Sequence, residues 1–462
     1  MFRSVELPLW LLILILLFAA VTFASHFLFP SVRWFLRRRA ERLVAELNKR
    51  LDRPIQPFKL LDRTDMIQRL IYDPEVMKAV AEHAHENDVR EDVAFERARA
   101  YAREIVPSFS ASVYFGFATR AAKWLSTRLY DVKVDGAERL SAIHPDATVV
   151  FVMNHRSNMD YVLVTYIAAK SSPLAYAVGE WASVWPLRSL IRAMGGYFIR
   201  RQYRTELYRK VLARYVQMAT GAGVAQAVFP EGGLSLDGRM AEAKLGLLTY
   251  LIDEFDGTRR DLVFVPVALN YDRVLEDTIL VKAGKEGKRR FRGSAPDAAR
   301  FTLRYVWRRM RGRAHRMGLA GVAFGEPLSL VDWRRETGAT EPRALADALM
   351  VRVQAAMPVL PVPLVAAVLR SRGPMEREML DTAVAETVAR LREAGARVLL
   401  PEDDGTLAAL VILRRRGMVA EAEGVVGIVP ERADYADYYA ATVLPLMTGA
   451  SAPERKAAPL KT

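Results

Sequence analysis

The chain has 462 residues, 51% of them hydrophobic and 26% charged, and no cysteine, which excludes disorder, collagen-like repetition, disulfide stapling, thiolate metal sites and a Cys-bound acyl intermediate. Six histidines leave little room for a multi-His metal site, and the length allows two to four domains of about 100–200 residues. The formal charge of +14 points to anionic partners: nucleic acid, a membrane surface, phosphorylated metabolites or acidic carrier proteins.

Leu7 to Phe29 is a run of 23 residues without a formal charge. As a helix it extends roughly 34 Å, enough to cross a hydrocarbon core of about 30 Å. Only Arg3 and Glu6 precede it, whereas Arg33, Arg37, Arg38, Arg39 and Arg42 follow. The positive-inside rule then places the rest of the chain in the cytoplasm. A cleaved signal peptide fits poorly, because its basic residues should come before the apolar run. The reading is a retained single-pass anchor (1–30) in the cytoplasmic or inner membrane, with the remainder cytoplasmic.

Residues 31–130 read as helical. Val44, Leu47 and Leu51, and later Ile67, Leu70 and Ile71, recur at helical spacing. Asp73-Pro74 and Val106-Pro107 mark helix boundaries. From Phe109 to Tyr130, aromatic residues alternate with Arg120, Lys123 and Arg128, which suits either a membrane-interfacial helix or a core helix.

Near Val132 the texture changes. Thr148–Met153, Leu174–Val178, Tyr197–Ile199, Val224–Phe229, Leu262–Leu269 and Gly321–Phe324 read as strands, each bounded by Gly, Pro or polar residues. Helical stretches between them predict an α/β layered domain with a largely parallel sheet over 131–335. A helical C-terminal region (336–462) follows, with a proline-marked turn at Pro358–Pro363 and helices at Asp381–Ala394 and Tyr435–Leu444.

The chemistry is expected at the end of the first of these strands. Val149–Met153 runs into Asn154-His155-Arg156-Ser157-Asn158-Met159-Asp160, and a helix continues through Tyr161–Ala169. Ser157 is a good N-cap, and Asp160, three residues on, completes a capping box. His155 would then lie at the carboxyl end of a strand, where open α/β sheets place ligands. The spacing alone decides little: His83 and Asp88 repeat it in a polar helical stretch and read as accidental, and a capping Asp with a loop His would look the same.

Further segments recur in a recognisable order. Asn154–Tyr161 resembles block I of the glycerol-3-phosphate acyltransferase family, and Gly195-Gly196-Tyr197-Phe198-Ile199-Arg200-Arg201 resembles block II. Phe229-Pro230-Glu231-Gly232-Gly233-Leu234-Ser235 is similar to block III and Val265–Tyr271, with Pro266, to block IV. Val322–Ser329 resembles the next characteristic segment, and Tyr438-Tyr439 a weaker form of the family's tyrosine-pair helix. The resemblance covers roughly residues 100–445.

What it implies is acyl transfer from an acyl-CoA or acyl-carrier-protein thioester to the 1-hydroxyl of glycerol 3-phosphate, without metal or redox cofactor. His155 would act as general base and Asp160 would orient it. Ser157 as nucleophile is the rival to its capping role. Substrate contacts are implied for Arg156, Arg200, Arg201, Glu231, Gly232, Gly233, Arg239 and Pro266. Family members typically carry arginines where this chain has Leu234 and Leu236. That leaves lysophosphatidate or another glycerol derivative as alternative acceptor, and a non-catalytic lipid-binding scaffold as the alternative of a different class.

Residues 282–316 hold thirteen Lys/Arg against Glu286 and Asp297, most of the chain's excess charge, interleaved with aromatic residues. An anionic membrane, coenzyme A phosphates or an acidic carrier protein would suit this stretch. RNA is the competing partner; the apolar amino terminus and the four blocks argue against nucleic acid.

Overall fold

The computed structural model describes residues 8–168, 172–179, 187–200, 205–258, 260–287, 316–401 and 404–449. Within the first helix the side chains of 20–34, 36, 37 and 40 are also left undescribed. Arg201 and most of the polybasic stretch (288–315) therefore lie outside the described residues.

Residues 1–54 and 55–462 form two compact units. The first is dominated by one helix, α1 (Leu9–Asn48), with Pro8 at its N-cap. Leu9, Trp10, Leu14 and Phe18 stand exposed on it. The expected transmembrane helix is not recovered as such: among the described residues no helix is long and apolar enough to cross a membrane. Part of the expected anchor, from residue 20 on, lies outside the described side chains.

The second unit opens with a helical layer, α2 (Pro57–Leu60), α3 (Arg63–Ile71), α4 (Pro74–Glu86) and α5 (Glu91–Ile105). Both proline boundaries hold: the Asp73 side chain caps α4 ahead of Pro74, and α5 ends at Val106 before Pro107. A π-helical stretch, Ser112–Ala118, leads into α6 (Thr119–Leu129). Its two sides differ in burial. Tyr114, Ala118, Ala122, Ser126 and Leu129 are buried, while Phe117 and Trp124 are exposed.

The central sheet comprises β1 (Asp131–Asp135), β2 (Thr148–Met153), β3 (Ala175–Gly179), β4 (Tyr197–Ile199), β5 (Gln226–Val228), β6 (Leu262–Tyr271), β7 (Leu319–Phe324) and β8 (Leu328–Ser329). Its order is β1-β7-β6-β2-β5-β3-β4, with β8 on β6. Pairing is parallel from β6 through β4 and between β1 and β7, and antiparallel where β6 meets β7 and β8. The fold is thus α/β with a mostly parallel sheet.

Strand period two divides the core into two layers. Val149, Phe151 and Met153 of β2 face one cluster with Val265, Val267 and Leu269 of β6. Val150 and Val152 face the other with Phe264 and Ala268. Helices cover both faces, so β2 is apolar throughout. Pro266, inside β6, falls where β7 has ended and β8 has not begun; its carbonyl there accepts the Gly325 N–H at 2.8 Å, so its missing donor leaves no ladder bond unmade.

Between β2 and β3 lies α7 (Met159–Ala168), between β3 and β4 α8 (Leu187–Ala193), and between β4 and β5 α9 (Glu206–Gly221). After β5 and β6 come α10 (Gly246–Ile252) and α11 (Asp277–Lys285). The edge strand β1, Asp-Val-Lys-Val-Asp, escapes a reading based on apolar runs because it is half solvated and pairs on one side only.

The C-terminal region is helical but also holds a three-stranded antiparallel sheet, β9 (Met375–Glu376), β10 (Val419–Ala422) and β11 (Val425–Ile428). The proline turn ends sooner than expected. Pro361 opens a buried helix, Pro361–Arg372, and with Pro363 falls in its first turn, where the ring and missing N–H are tolerated. The helices expected near 381 and 435 are Arg377–Glu393 and Ala433–Ala440.

Candidate active site

The carboxyl ends of β2, β5 and β6 lie along one edge of the sheet, and the turn after β2 is pinned to both neighbours. Asn154 at its start donates its amide to the Leu269 carbonyl at 2.9 Å and accepts the Leu269 N–H at 2.7 Å, extending the β2–β6 pairing by a side chain. On the other side the His155 N–H donates to Glu231 Oε1 at 2.8 Å, and the His155 carbonyl accepts the Ser235 N–H at 3.0 Å. Blocks I and III are thereby locked together.

The turn ends in a cap that forms the Asp160 half of the expected box, with Ser157 Oγ bonded one residue earlier. Ser157 Oγ accepts the Met159 N–H at 3.1 Å, and Asp160 Oδ2 accepts the Ser157 N–H at 3.0 Å. That same oxygen also accepts the Arg156 N–H at 2.7 Å and faces His155 Nδ1 at 2.8 Å. Tyr271 donates its hydroxyl to Asp160 Oδ1 at 2.6 Å. Four donors hold this fully buried carboxylate.

An acceptor-only partner at that distance puts the imidazole proton on Nδ1 and leaves the Nε2 lone pair to take a proton. The ring is clamped by Phe229, 4.3 Å away between centroids, and Tyr161, edge-on at 5.4 Å. Burial, and then the Asp160 charge, push the Tyr271 hydroxyl well above the ordinary tyrosine range, so it remains a donor. Ser157, the rival nucleophile, spends its proton on Glu276 Oε2 at 2.7 Å. Glu276 also accepts the Asn158 N–H at 3.2 Å, and burial raises its carboxyl.

Glu231 is buried, and its second oxygen accepts the Ala241 N–H at 2.8 Å. Burial pushes its carboxyl up to about 7, against the opposing pull of the Ala241 and His155 amides and the Arg156 charge. Gly232 has φ of +66°, and a Cβ there would meet Lys244, while Gly233 faces open space. Arg239 is exposed, and its backbone closes the loop: its carbonyl accepts from Ser235 Oγ at 2.7 Å.

Arg156 is 2% exposed. Its guanidinium donates to the Gly238 carbonyl at 2.7 Å and lies 4.5 Å from the Tyr438 ring centre. Nε and the second terminal nitrogen are buried without a partner among the described residues, as is the Tyr438 hydroxyl. Gly238 fits only as glycine, because a Cβ would lie 1.9 Å from the Tyr438 carbonyl oxygen. Tyr439 donates to Asp277 Oδ2 at 2.6 Å and accepts the Val274 N–H at 3.0 Å, tying the C-terminal helix to the segment after β6.

Block II stands apart in its contacts. Arg200, after β4, donates through Nε to both oxygens of Glu104 on α5 at 2.8 Å and lies over Tyr101. Pro266 remains inside β6. His83, the decoy, has a donor facing each ring nitrogen, Asn87 at 3.1 Å and Arg97 at 3.4 Å, and a neutral imidazole accepts from only one of them. Sequence reasoning missed Tyr271, Glu276 and Gly238. Tyr271 closes the segment that resembles block IV, which was its signal; nothing local marks the other two.

Residues 131–270 match the Acyltransferase family model, and residues 303–451 match that of the glycerol-3-phosphate acyltransferase C-terminal region. The chain is similar to a protein named glycerol-3-phosphate acyltransferase from Shewanella amazonensis, 30% identical over 371 residues, which cover 74% of this chain and 44% of that one. Proteins of the same name from Shewanella sp. strain ANA-3 (32% over 314 residues; 66% and 37%) and Pseudomonas syringae pv. tomato (30% over 287 residues; 59% and 33%) are also similar. The chain thus spans less than half the length of these curated relatives. Among solved structures it is similar to the crystal structure of a 1-acyl-sn-glycerophosphate acyltransferase from Thermotoga maritima, with 19% identity and a TM-score of 0.32 over 52% of this chain and 75% of that one.

Proposed function

Since the chain carries an acyltransferase domain followed by the C-terminal region of glycerol-3-phosphate acyltransferases, and so belongs to that family, we propose that it transfers a fatty acyl group from an acyl-CoA or acyl-carrier-protein thioester to the 1-hydroxyl of glycerol 3-phosphate. The observation that carries this reading is the His155–Asp160 pair at 2.8 Å, with Asp160 held by three further donors. His155 Nε2 takes the proton of the acceptor hydroxyl as its oxygen attacks the thioester carbonyl. The tetrahedral intermediate then expels the thiolate, which recovers that proton from the imidazolium. Asp160 stabilises the transient positive charge and keeps the ring in one tautomer.

Arg156 supports a phosphate-bearing acceptor. Its buried guanidinium follows His155 directly and keeps two nitrogens for charge-assisted hydrogen bonds. Glu231 supports the base by holding the His155 backbone N–H. The exposed apolar residues of α1 and the arginines after them support attachment to an anionic membrane with the catalytic unit on its cytoplasmic side.

The test is transfer from both thioester donors to glycerol 3-phosphate, dihydroxyacetone phosphate and lysophosphatidate, alongside flotation with anionic vesicles. Transfer to glycerol 3-phosphate is expected. Preference for lysophosphatidate would move the acceptor to the alternative, and no transfer by a folded preparation would overturn the enzymatic reading.

A further inference from the structure

At the carboxyl end of α5 three arginines converge, Arg63 from α3 and Arg188 and Arg192 from α8. Arg63 Nε donates to the Val106 carbonyl at 3.0 Å, and its terminal nitrogen donates to the Arg103 carbonyl. Arg192 on α8 donates to the same Arg103 carbonyl at 3.2 Å and to that of Glu104 at 3.0 Å. Sharing one acceptor places the two guanidinia side by side. Arg188, one helical turn before Arg192, lies 6.0 Å from the centre of the Phe198 ring, and Arg192 lies 5.7 Å from it.

Helix capping accounts for part of this. The last carbonyls of α5 favour cations, and Arg63 and Arg192 each give them one edge of the guanidinium. It does not account for Arg188, nor for the Nε atoms of Arg188 and Arg192, both buried without a hydrogen-bond partner among the described residues. The nearest carboxylate, Glu104, is committed to Arg200 through both oxygens. Like charges also oppose one another: burial first, then Arg188 and Arg63, push Arg192 down to about 10, and burial with Arg188 and Arg103 lowers Arg63.

We propose that Arg63, Arg188 and Arg192 form an anion site for a phosphate monoester, separate from the guanidinium of Arg156. Planar guanidinia match phosphate oxygens in pairs, and a dianion would relieve the repulsion that Glu104, shared with Arg200, offsets only in part. The phosphate could come from the acceptor or from the nucleotide end of a coenzyme A thioester. Both present the same dianionic monoester, and the test separates them. Binding requires no acyl transfer, so failure of this site and failure of the transferase reading are distinguishable.

The experiment uses the full chain carrying Arg156→Gln, which silences the nearer guanidinium. Phenylglyoxal labelling of Arg188 and Arg192 is followed by mass spectrometry with inorganic phosphate, glycerol 3-phosphate or 3′,5′-ADP. Arg335, which is exposed beside Asp332, serves as internal reference. The expected result is slowing of labelling at Arg188 and Arg192, not at Arg335, and about tenfold weaker phosphate binding by calorimetry for each of Arg188→Gln and Arg192→Gln. Strongest protection by 3′,5′-ADP would assign the site to the donor, and strongest protection by glycerol 3-phosphate to the acceptor. No protection by any of the three overturns the proposal. So does an Arg192→Gln chain that melts earlier but binds phosphate unchanged, since the arginines would then only cap α5.

Discussion

Tyr271, the last residue of β6, donates to Oδ1 of Asp160 at 2.6 Å, the oxygen that His155 does not use. The carboxylate is therefore gripped from both sides, and the strand that carries Tyr271 sets the direction in which Asp160 presents itself to the imidazole. Tyr271→Phe keeps the ring and removes only this bond. It should lower kcat about tenfold with little change in either KM, because His155, the proposed base, is no longer held in one orientation. Stability should fall by about 1–3 kcal/mol, the cost of leaving a buried acceptor short of a donor. Steady-state kinetics beside urea unfolding check this; a lower unfolding midpoint with unchanged kcat would confine Tyr271 to a structural role.

His155→Ala should reduce kcat by about a hundred- to ten-thousand-fold, the usual worth of a positioned base. His83→Ala should leave kcat within about twofold and cost about 1 kcal/mol, since His83 only packs and accepts one hydrogen bond, from Asn87 or Arg97. Equal losses of activity in the two variants would remove His155 from its role.

Stability should fall as pH rises from about 4.5 to about 7. In the unfolded chain Glu231 releases its proton near the ordinary 4.5, whereas burial holds the proton in the folded chain up to about 7. The unfolded state therefore binds fewer protons across that window, and stability drops at roughly 1.4 kcal/mol per pH unit for such a group. Asp272, buried and also pushed up to about 7, adds to the slope from about its ordinary 3.8 upward. Glu231→Gln cannot titrate and should remove its share of the slope, whatever its absolute stability. Urea unfolding at half-unit steps from pH 4 to 8 measures this.

Asp277, Arg416 and Tyr439 form a buried polar knot between α11 and the C-terminal region. Arg416→Ala should destabilise the chain by about 3–5 kcal/mol, because Asp277 is left charged in an apolar interior. Replacing Asp277 and Arg416 together with apolar residues should restore much of that loss. Additive losses in the double variant would mean that the ion pair is not the source.

Where a segment's fate depended on its own composition, the order of residues was enough. Thr148–Met153 is apolar on both faces and becomes a central parallel strand with the bounds read from the sequence. Ser157 and Asp160 sit at capping spacing and cap the helix that follows. Asp73-Pro74 starts α4 where a proline must. By contrast β1 was not legible, since an edge strand open to solvent on one side carries no apolar run.

The amino-acid sequence by itself determined the α/β class and the capped turn after β2, because these rest on period and capping within a dozen residues, while the His155–Asp160 pair stood out from His83 and Asp88 only through the ordered segments that resemble the family's blocks. Only the tertiary structure decided which groups surround that pair. Tyr271 reaches Asp160 across 111 residues, Ser157 meets Glu276 across 119, and Arg156 finds Gly238 across 82. It also decided that Arg200 is held by Glu104, 96 residues earlier. Such partners are chosen by strand order and by the need of each buried charge for an opposite or donating neighbour. Neither condition leaves a trace in local spacing.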